Sequence, residues 1–464
     1  MITARCEPLA VGKCIIKTSM TSLALLTDLY ELTMAQAYLE EGLTDQAVFS
    51  LFVRRLPTHR NFLIACGLET VLDSLETLRF SDDDLEYLAS LRQFSPKFLD
   101  WLKQMRFTGD VYAVPEGTPV FAHEPIIEVV APLPIAQLVE TLVMNQIHLQ
   151  TLLASKAYRV VAAAKGRPVF DFAARRMHGS DAALKGARAF YIAGVAATSN
   201  VLAGKLYRIP VVGTMAHSYI QAHRDEIEAF RAFTRIYPET VLLVDTYDTL
   251  GGVQRVIELA REMGPAFRVK AIRLDSGELA ELSARARELL DRAGLSHVQI
   301  LASGSLDEEQ IARLLEAGAP INGFGVGTAM GVSRDAPDLD IAYKLSEYAG
   351  QARLKLSPGK SVLPGRKQVF RLEEEGCAVG DIIARADEQL PGRPLLRLVM
   401  RAGERLERQD LEAIRRYTRE QIARLPERIR ALAPAQPPYP VEISAALRHL
   451  QQQLAAHYER REAP

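Results

Sequence analysis

The chain has 464 residues, 48% of them hydrophobic, and sets 56 lysines and arginines against 57 acidic residues for a formal net charge of −1. That length exceeds the size at which one hydrophobic core stops growing, so two packed domains are expected. Balanced charge without a long run of one sign argues against nucleic acid or an anionic membrane as partner, and no uninterrupted apolar stretch of about 18 residues is present to cross a bilayer. Cys6, Cys14, Cys66 and Cys377 show no C-x-x-C spacing. They read as reduced cytosolic thiols, with no disulfide and no structural metal expected.

In chain order, residues 1–22 read as a loose extension: Lys13 and Lys17 break a short apolar patch, no cleavage site follows, and Met20 offers a second start. Residues 23–130 read as an α+β domain. The pattern Leu29, Leu32, Ala35, Ala37, Leu39 predicts a helix over 28–42 that stops at Gly42, and AVFSLFVRRLP predicts a strand after it. Short helices over 81–101 then precede GDVYAVPEGTPVFAHEPIIEVVAP, which alternates like antiparallel strands.

Within 131–350 the runs PVFDF, IPVVGT, VLLVDT, VKAIRLDSG, VQILASGS and INGFGVGT start at 168, 209, 241, 269, 298 and 321. Spacings of that order suit βα units, hence parallel strands with helical crossovers. Helices are expected over 278–293 and 307–317, the latter with Ser305 as its cap. With no sign of a reversal in strand order, an α/β barrel fits better than an open sheet. Residues 351–464 contain the strand-like LPGRKQVFRL and PLLRLVM, so the flanking domain is expected to draw on both chain ends. From Gln409 the tail reads as helical and charged, with APAQPPYPVEIS an extended linker before a last helix.

Polar residues gather where these runs end. His217 follows IPVVGT and precedes Ser218-Tyr-Ile-Gln221, which has the form of a capping box, so it would stand at a strand end beside the positive end of a helix, a place suited to phosphate. A helix-capping or core histidine is the plainer alternative. Arg273 and Asp275 end another run: a guanidinium pairs with carboxylate or phosphate, and a carboxylate accepts ribose hydroxyls, although either could simply cap a helix. Asp245 ends VLLVDT, with Asp248 and Thr249 suited to capping. The small-residue turns ASGSLDE and GFGVGTAM suggest a phosphate cradle at Ser303, Gly304, Gly327 and Thr328.

Five segments in order resemble the nicotinate phosphoribosyltransferase family over roughly residues 23–370: LLTDLYELTMAQAYLEEG (25–42), the stretch 167–225 containing FDFAARR, ATSN and GTMAHS, LLVDTYDTLGG (242–252), IRLDSGEL (272–279) and GFGVGTAM (323–330). The resemblance implies an irregular α/β barrel of the type II phosphoribosyltransferase kind with a flanking α+β domain. It implies that nicotinate and phosphoribosyl pyrophosphate (PRPP) give nicotinate mononucleotide and diphosphate for NAD synthesis in the cytoplasm. ATP hydrolysis would be coupled through a phosphohistidine, a ligase-type reaction, with Mg2+ held mainly by substrate phosphates.

Residue by residue, the resemblance places the phosphoacceptor at His217 and substrate contacts at Arg273 and Asp275, the latter on the ribose or metal side. It places further substrate contacts at Thr214 and Asp245, with Phe172 against the pyridine ring and Arg175 facing the ribosyl or diphosphate group. Tyr30 would complete the base pocket of a neighbouring subunit, implying a homodimer. Ser199 stands where a relative using nicotinamide has an aspartate, so it favours the acid. Rival readings are nicotinamide phosphoribosyltransferase and a catalytically silent metabolite-binding barrel. LLVDTYDTLGG also resembles the PRPP loop of the open-sheet phosphoribosyltransferases, but the regular repeat favours the barrel. Val195-Ala196 departs from the Phe-Asp common in the family, and FAARRMHGSD from FGLRRAQGPD, with both arginines and the aspartate kept.

Overall fold

The computed structural model describes residues 23–357 and 362–462. The first 22 residues, with the expected extension, Cys6, Cys14 and Met20, lie outside the described residues. Two compact units emerge: Leu153–Pro337 makes one, and the described residues of Val11–Leu152 and Asp338–Pro464 make the other.

In the first unit, six strands form a parallel sheet in the order Ala197–Thr198, Val169–Asp171, Gly323–Val326, Gln299–Ala302, Ala271–Leu274, Val241–Leu243. The last strand in sequence pairs with the first, Gly325 opposite Phe170 and Val326 opposite Asp171, so the chain order runs around a ring. A parallel bridge from Thr198 to Val211 carries the ring one step further towards Val241–Leu243. The sheet is therefore a curled α/β barrel, left without a strand ladder between Val211 and Val241–Leu243 among the described residues.

Strand alternation divides the apolar residues of this unit into two layers. Leu242, Ile272, Leu274 and Ile300 pack with Phe230, Val253, Val256, Ala286 and Leu290 of the surrounding helices. Phe170, Ala197, Val212, Val241, Ala271 and Leu301, on the opposite parity, form a separate inner cluster joined by Phe172. Continuing that inner parity leads to Phe172, Ser199, Thr214, Arg273, Asp275, Ser303 and Gly327, whereas Leu243 packs in the outer layer, so Asp245 just past Val241–Leu243 is placed by its loop instead. The apolar layer is thus a floor, and the polar candidates follow it at the C-terminal ends of parallel strands, where barrel sites form.

The second unit holds a seven-stranded antiparallel sheet ordered Gln351–Ala352, Ile341–Tyr348, Gln46–Val53, Pro125–Pro132, Asp110–Ala113, Arg397–Arg401, Glu404–Arg405. Gln46–Val53 is central and buried on both faces beyond its first residue, as its continuous apolar run requires. The first helix, Leu29–Glu41, is capped at its end by Gly42 and packs on Leu133–Leu138. A second sheet pairs Arg393–Pro394, Lys367–Glu374, Cys377–Arg385 and Val441–Ile443.

Two local readings need correction. Part of APAQPPYPVEIS is not a linker: Val441–Ile443 pairs in parallel with Cys377–Arg385, a partner too distant in sequence for local pattern to reveal. The helix after ASGS spans Glu308–Glu316 and is capped by Asp307 in a reciprocal box with Gln310, not by Ser305, whose φ of +53° is the wrong conformation for a cap. Cys66 is buried and Cys377 half-buried, and the two are not joined in a disulfide. No helix among the described residues is long and apolar enough to cross a membrane.

Candidate active site

Three neighbouring strand ends build the centre of the site. The strand Ala271–Leu274 lies between Val241–Leu243 and Gln299–Ala302, so the loops carrying Asp245, Asp275 and Ser303 emerge side by side. Asp245 Oδ2 accepts from the backbone N–H of Asp275 at 2.9 Å and from Ser276 Oγ at 2.6 Å. Ser303 Oγ donates to Asp275 Oδ1, while its N–H donates to the carbonyl of Leu274 at 2.8 Å. Gly304 explains how that loop comes so near: its φ is +91°, and a Cβ there would sit 1.8 Å from the carbonyl oxygen of Asp275. Only glycine permits this approach.

His217 opens the short helix His217–Gln221. Its Nδ1 is 3.1 Å from Thr246 Oγ1, and its Nε2 is 4.0 Å from Asp275 Oδ2. The ring therefore lies between the Asp245-Thr246 loop and Asp275, with more than a third of its side chain exposed. The capping box expected at Ser218 and Gln221 is absent: Ala216 occupies the cap position without a side-chain bond, and Ser218 is already inside the helix. Thr246 was not a sequence candidate, and its only signal was its place after Asp245 in VLLVDT.

Arg273 follows Ala271 on the inner face, and its Nε is buried without a hydrogen-bond partner. Burial lowers its pKa, as does the neighbouring Arg175, while Asp275 and Asp245 oppose the shift. Asp245 Oδ1 is likewise buried and unpartnered. A donor and an acceptor withheld from protein partners at the mouth of a barrel are groups a ligand can satisfy.

Around this centre, Arg175 lies exposed on the turn Ala174–Arg176. The ring of Phe172 packs on Gly325, where a Cβ would meet it at 2.4 Å, so the absent side chain opposite gives the half-buried ring its place. Ser199 donates its N–H to the carbonyl of Asp171 at 2.9 Å. Asp171, absent from the sequence candidates, is buried and accepts from Thr198 Oγ1 at 2.7 Å and from the N–H of Ala173 at 2.8 Å. It ties the Phe172 turn to the Ser199 turn, and burial pushes its carboxyl up against those bonds. Thr214 turns to its own chain, accepting from the N–H of Met215. Gly327 packs towards the carbonyl of Phe172, and Thr328 begins the short helix Thr328–Gly331. Asp248 caps Thr249–Met263 through the N–H of Gly251. Tyr30 belongs to the other unit, on Leu29–Glu41, with 45% of its surface exposed.

The chain matches known proteins over most of its length. Residues 25–148 match the nicotinate phosphoribosyltransferase N-terminal domain, 168–363 the nicotinate phosphoribosyltransferase family and 391–451 the family's C-terminal domain. The chain is 55% identical over 435 residues to nicotinate phosphoribosyltransferase pncB2 of Mycobacterium tuberculosis, covering 92% of this chain and 94% of that protein. It is 42% identical over 387 residues to the Bacillus subtilis nicotinate phosphoribosyltransferase, covering 81% and 79%. Its fold is similar to the crystal structure of human nicotinic acid phosphoribosyltransferase, with a TM-score of 0.82 at 28% identity over 92% of this chain and 99% of that one. The Pyrococcus furiosus nicotinate-nucleotide pyrophosphorylase structure is similar at a TM-score of 0.72 and 25% identity, over 89% and 98%. With all three family regions present in order and a relative of this identity over nearly its whole length, the chain belongs to the nicotinate phosphoribosyltransferase family.

Proposed function

We propose that the chain catalyses nicotinate + PRPP + ATP + H2O → nicotinate mononucleotide + diphosphate + ADP + phosphate, as a cytoplasmic homodimer feeding NAD synthesis. The observation that carries this reading is the His217, Asp275, Asp245 and Ser303 network at adjoining strand ends, with Arg273 unpartnered beside it. The pyridine nitrogen attacks C1 of the ribose as diphosphate leaves, and needs no general base. Catalysis then rests on alignment and on neutralising the leaving group.

Arg273 and Arg175 supply positive charge for diphosphate or phosphate. The open Oδ1 of Asp245 accepts a ribose hydroxyl, and Asp275, fixed by Ser303, lies across from the His217 ring. Phe172 offers a face to the pyridine, and neutral Ser199 suits a carboxylate-bearing base. Ser303, Gly304, Gly327, Thr328 and Thr214 line the surrounding turns. Mg2+ would supply charge neutralisation on the phosphates. Among the described residues no group of three His, Cys, Asp or Glu side chains could hold a metal ion. His217, tethered through Nδ1 to Thr246, has Nε2 available to accept the ATP phosphoryl group facing Asp275. The exposed face of Tyr30 serves the partner subunit's base pocket.

The test offers purified protein nicotinate or nicotinamide with PRPP and Mg2+, with and without ATP, and measures mononucleotide and ADP together. Nicotinate mononucleotide formed faster with ATP, with stoichiometric ADP, is expected, and His217→Ala should lose the ATP dependence. Substrate-dependent ATP hydrolysis surviving in His217→Ala would overturn the phosphohistidine. Product from nicotinamide alone would overturn the base assignment.

A further inference from the structure

Glu226 was no sequence candidate, yet it is the other acid that this site leaves unfinished. It begins the helix Glu226–Ile236, is 3% exposed, and keeps Oε1 buried without a hydrogen-bond partner. Its Oε2 lies 3.7 Å from Nε of Arg255, beyond hydrogen-bonding distance. The charged groups acting on it are Arg255 from Thr249–Met263, Asp245 from the end of Val241–Leu243, and the cap Asp248. Asp245, in turn, is 9% exposed with Oδ1 unpartnered. Two buried carboxylates, each with an open oxygen, thus act on one another, with half-exposed Arg255 beside Glu226 and buried Arg273 acting on Asp245.

We propose that Glu226 is a positioning residue for Asp245, a second buried carboxylate whose charge sets how tightly the ribose end of the site receives the polyanionic phosphoribosyl substrate. When Glu226 is neutral, Asp245 carries the local negative charge alone and takes the ribose hydroxyls. When it is ionised, a second negative charge faces a substrate bearing several, and binding weakens while the chemistry at C1, further from Glu226, changes less. Burial raises the Glu226 carboxyl to about 7, with Asp245 and Asp248 adding to the shift and Arg255 opposing it, so the change of charge falls near neutrality. The inference rests on the reading of PRPP as substrate.

The experiment measures KM for PRPP and kcat from about pH 6 to pH 8.5, spanning the transition, for wild type, Glu226→Gln and Arg255→Met. PRPP titrates identically with each protein, so the ratio of wild-type to Glu226→Gln KM isolates this residue. That ratio should rise about five-fold across the range while the ratio of kcat values stays level, as expected for one extra charge in a partly screened site. Arg255→Met, which removes the opposing cation, should move the inflection to higher pH. A pH-independent KM ratio in active proteins overturns the inference. Should Glu226→Gln not fold, an unshifted inflection in Arg255→Met does the same. A wild type that makes no mononucleotide at any pH overturns the functional reading beneath it, and the inference with it.

Discussion

In the flanking unit, Arg371 donates from Nε and Nη2 to both oxygens of Asp381 at 2.6 to 3.2 Å, and Nη2 also reaches the carbonyl of Pro119 at 2.9 Å. Tyr439 adds its hydroxyl to Asp381 at 3.0 Å and stacks on Phe121 with centroids 3.9 Å apart. Burial and Asp381 push the carboxyl of Glu124 beside them well up; its Oε2 accepts from the N–H of Phe121, and its Oε1 is the one oxygen of this cluster left without a hydrogen-bond partner among the described residues. In the catalytic unit, Arg273, Asp245 and Asp275 are the same kinds of side chain, but the guanidinium Nε and one Asp245 oxygen are left over. A buried ion pair whose bonds are nearly all made within the protein holds structure together; one built short of partners at strand ends leaves groups that a ligand can satisfy. What separates the two is how many of the bonds the chain makes to itself.

The sharpest way to break that contrast is Asp381→Ala, which strands Arg371 at 1% exposure without its anion. Unfolding free energy should fall by about 3–5 kcal/mol, with turnover per folded molecule unchanged, as read by denaturant titration beside an activity assay. Loss of turnover with stability intact would show that the closed network also serves the site.

Glu31 gives a second test within the flanking unit. It is fully buried, accepts from the N–H and Oγ1 of Thr141 at 3.1 and 2.6 Å and from Thr27 Oγ1, and burial raises it to about 7 against those bonds. Its folded pKa lies above the ordinary 4.5, so its contribution is complete below about 4.5 and is lost as pH rises through about 7. Relative to Glu31→Gln, wild type should lose up to about 3 kcal/mol between those limits. Parallel stability curves for the two proteins would contradict the assignment.

Arg273→Met reverses the expectation for Asp381→Ala. It removes an unpartnered buried donor, so the unfolding midpoint should hold or rise, while kcat/KM falls about 10²-fold. Equal losses of stability and activity would mean that the guanidinium is structural.

Much of this site was legible because alternation is a strict rule. Once Phe170, Ala197, Ala271 and Leu301 are known to share the inner layer, Phe172, Ser199, Arg273 and Ser303 follow by parity, and the polar ends of the apolar runs were visible in the sequence. The ring closure between Phe170 and Gly325 was readable only as a regular repeat, since pairing of first and last strands is non-local. Asp171 and Thr246 were missed because their partners, Thr198 and His217, lie 27 and 29 residues away. The glycine turn at 303–304 was read as a phosphate cradle, whereas Gly304 is also required for the approach to Asp275, a demand set by two loops from different strands. Gly304→Ala should therefore lower stability by about 1–3 kcal/mol and reduce turnover together, by forcing Asp275 aside. Unchanged KM and kcat in a folded Gly304→Ala protein would detach the turn from the site.

The smallest expected effect bears on which base enters. Ser199 is half-buried after Ala197–Thr198, with its N–H tied to Asp171 and Asn200 beyond it capping the next helix through the N–H of Ala203 at 3.1 Å. Its backbone is fixed from both sides, so a new side chain changes charge more than position. An aspartate there would place a carboxylate on the inner parity, where nicotinate brings its own, and a few ångströms of partly desolvated separation make like charges costly. Ser199→Asp should lower kcat/KM for nicotinate about ten-fold relative to nicotinamide, a difference of about 1.4 kcal/mol. Because nicotinamide has nearly the same shape but no charge, the ratio of the two bases cancels any general damage to the pocket. A ratio that does not move would place the base carboxylate away from Ser199 and leave Arg175 or Arg273 to choose the acid.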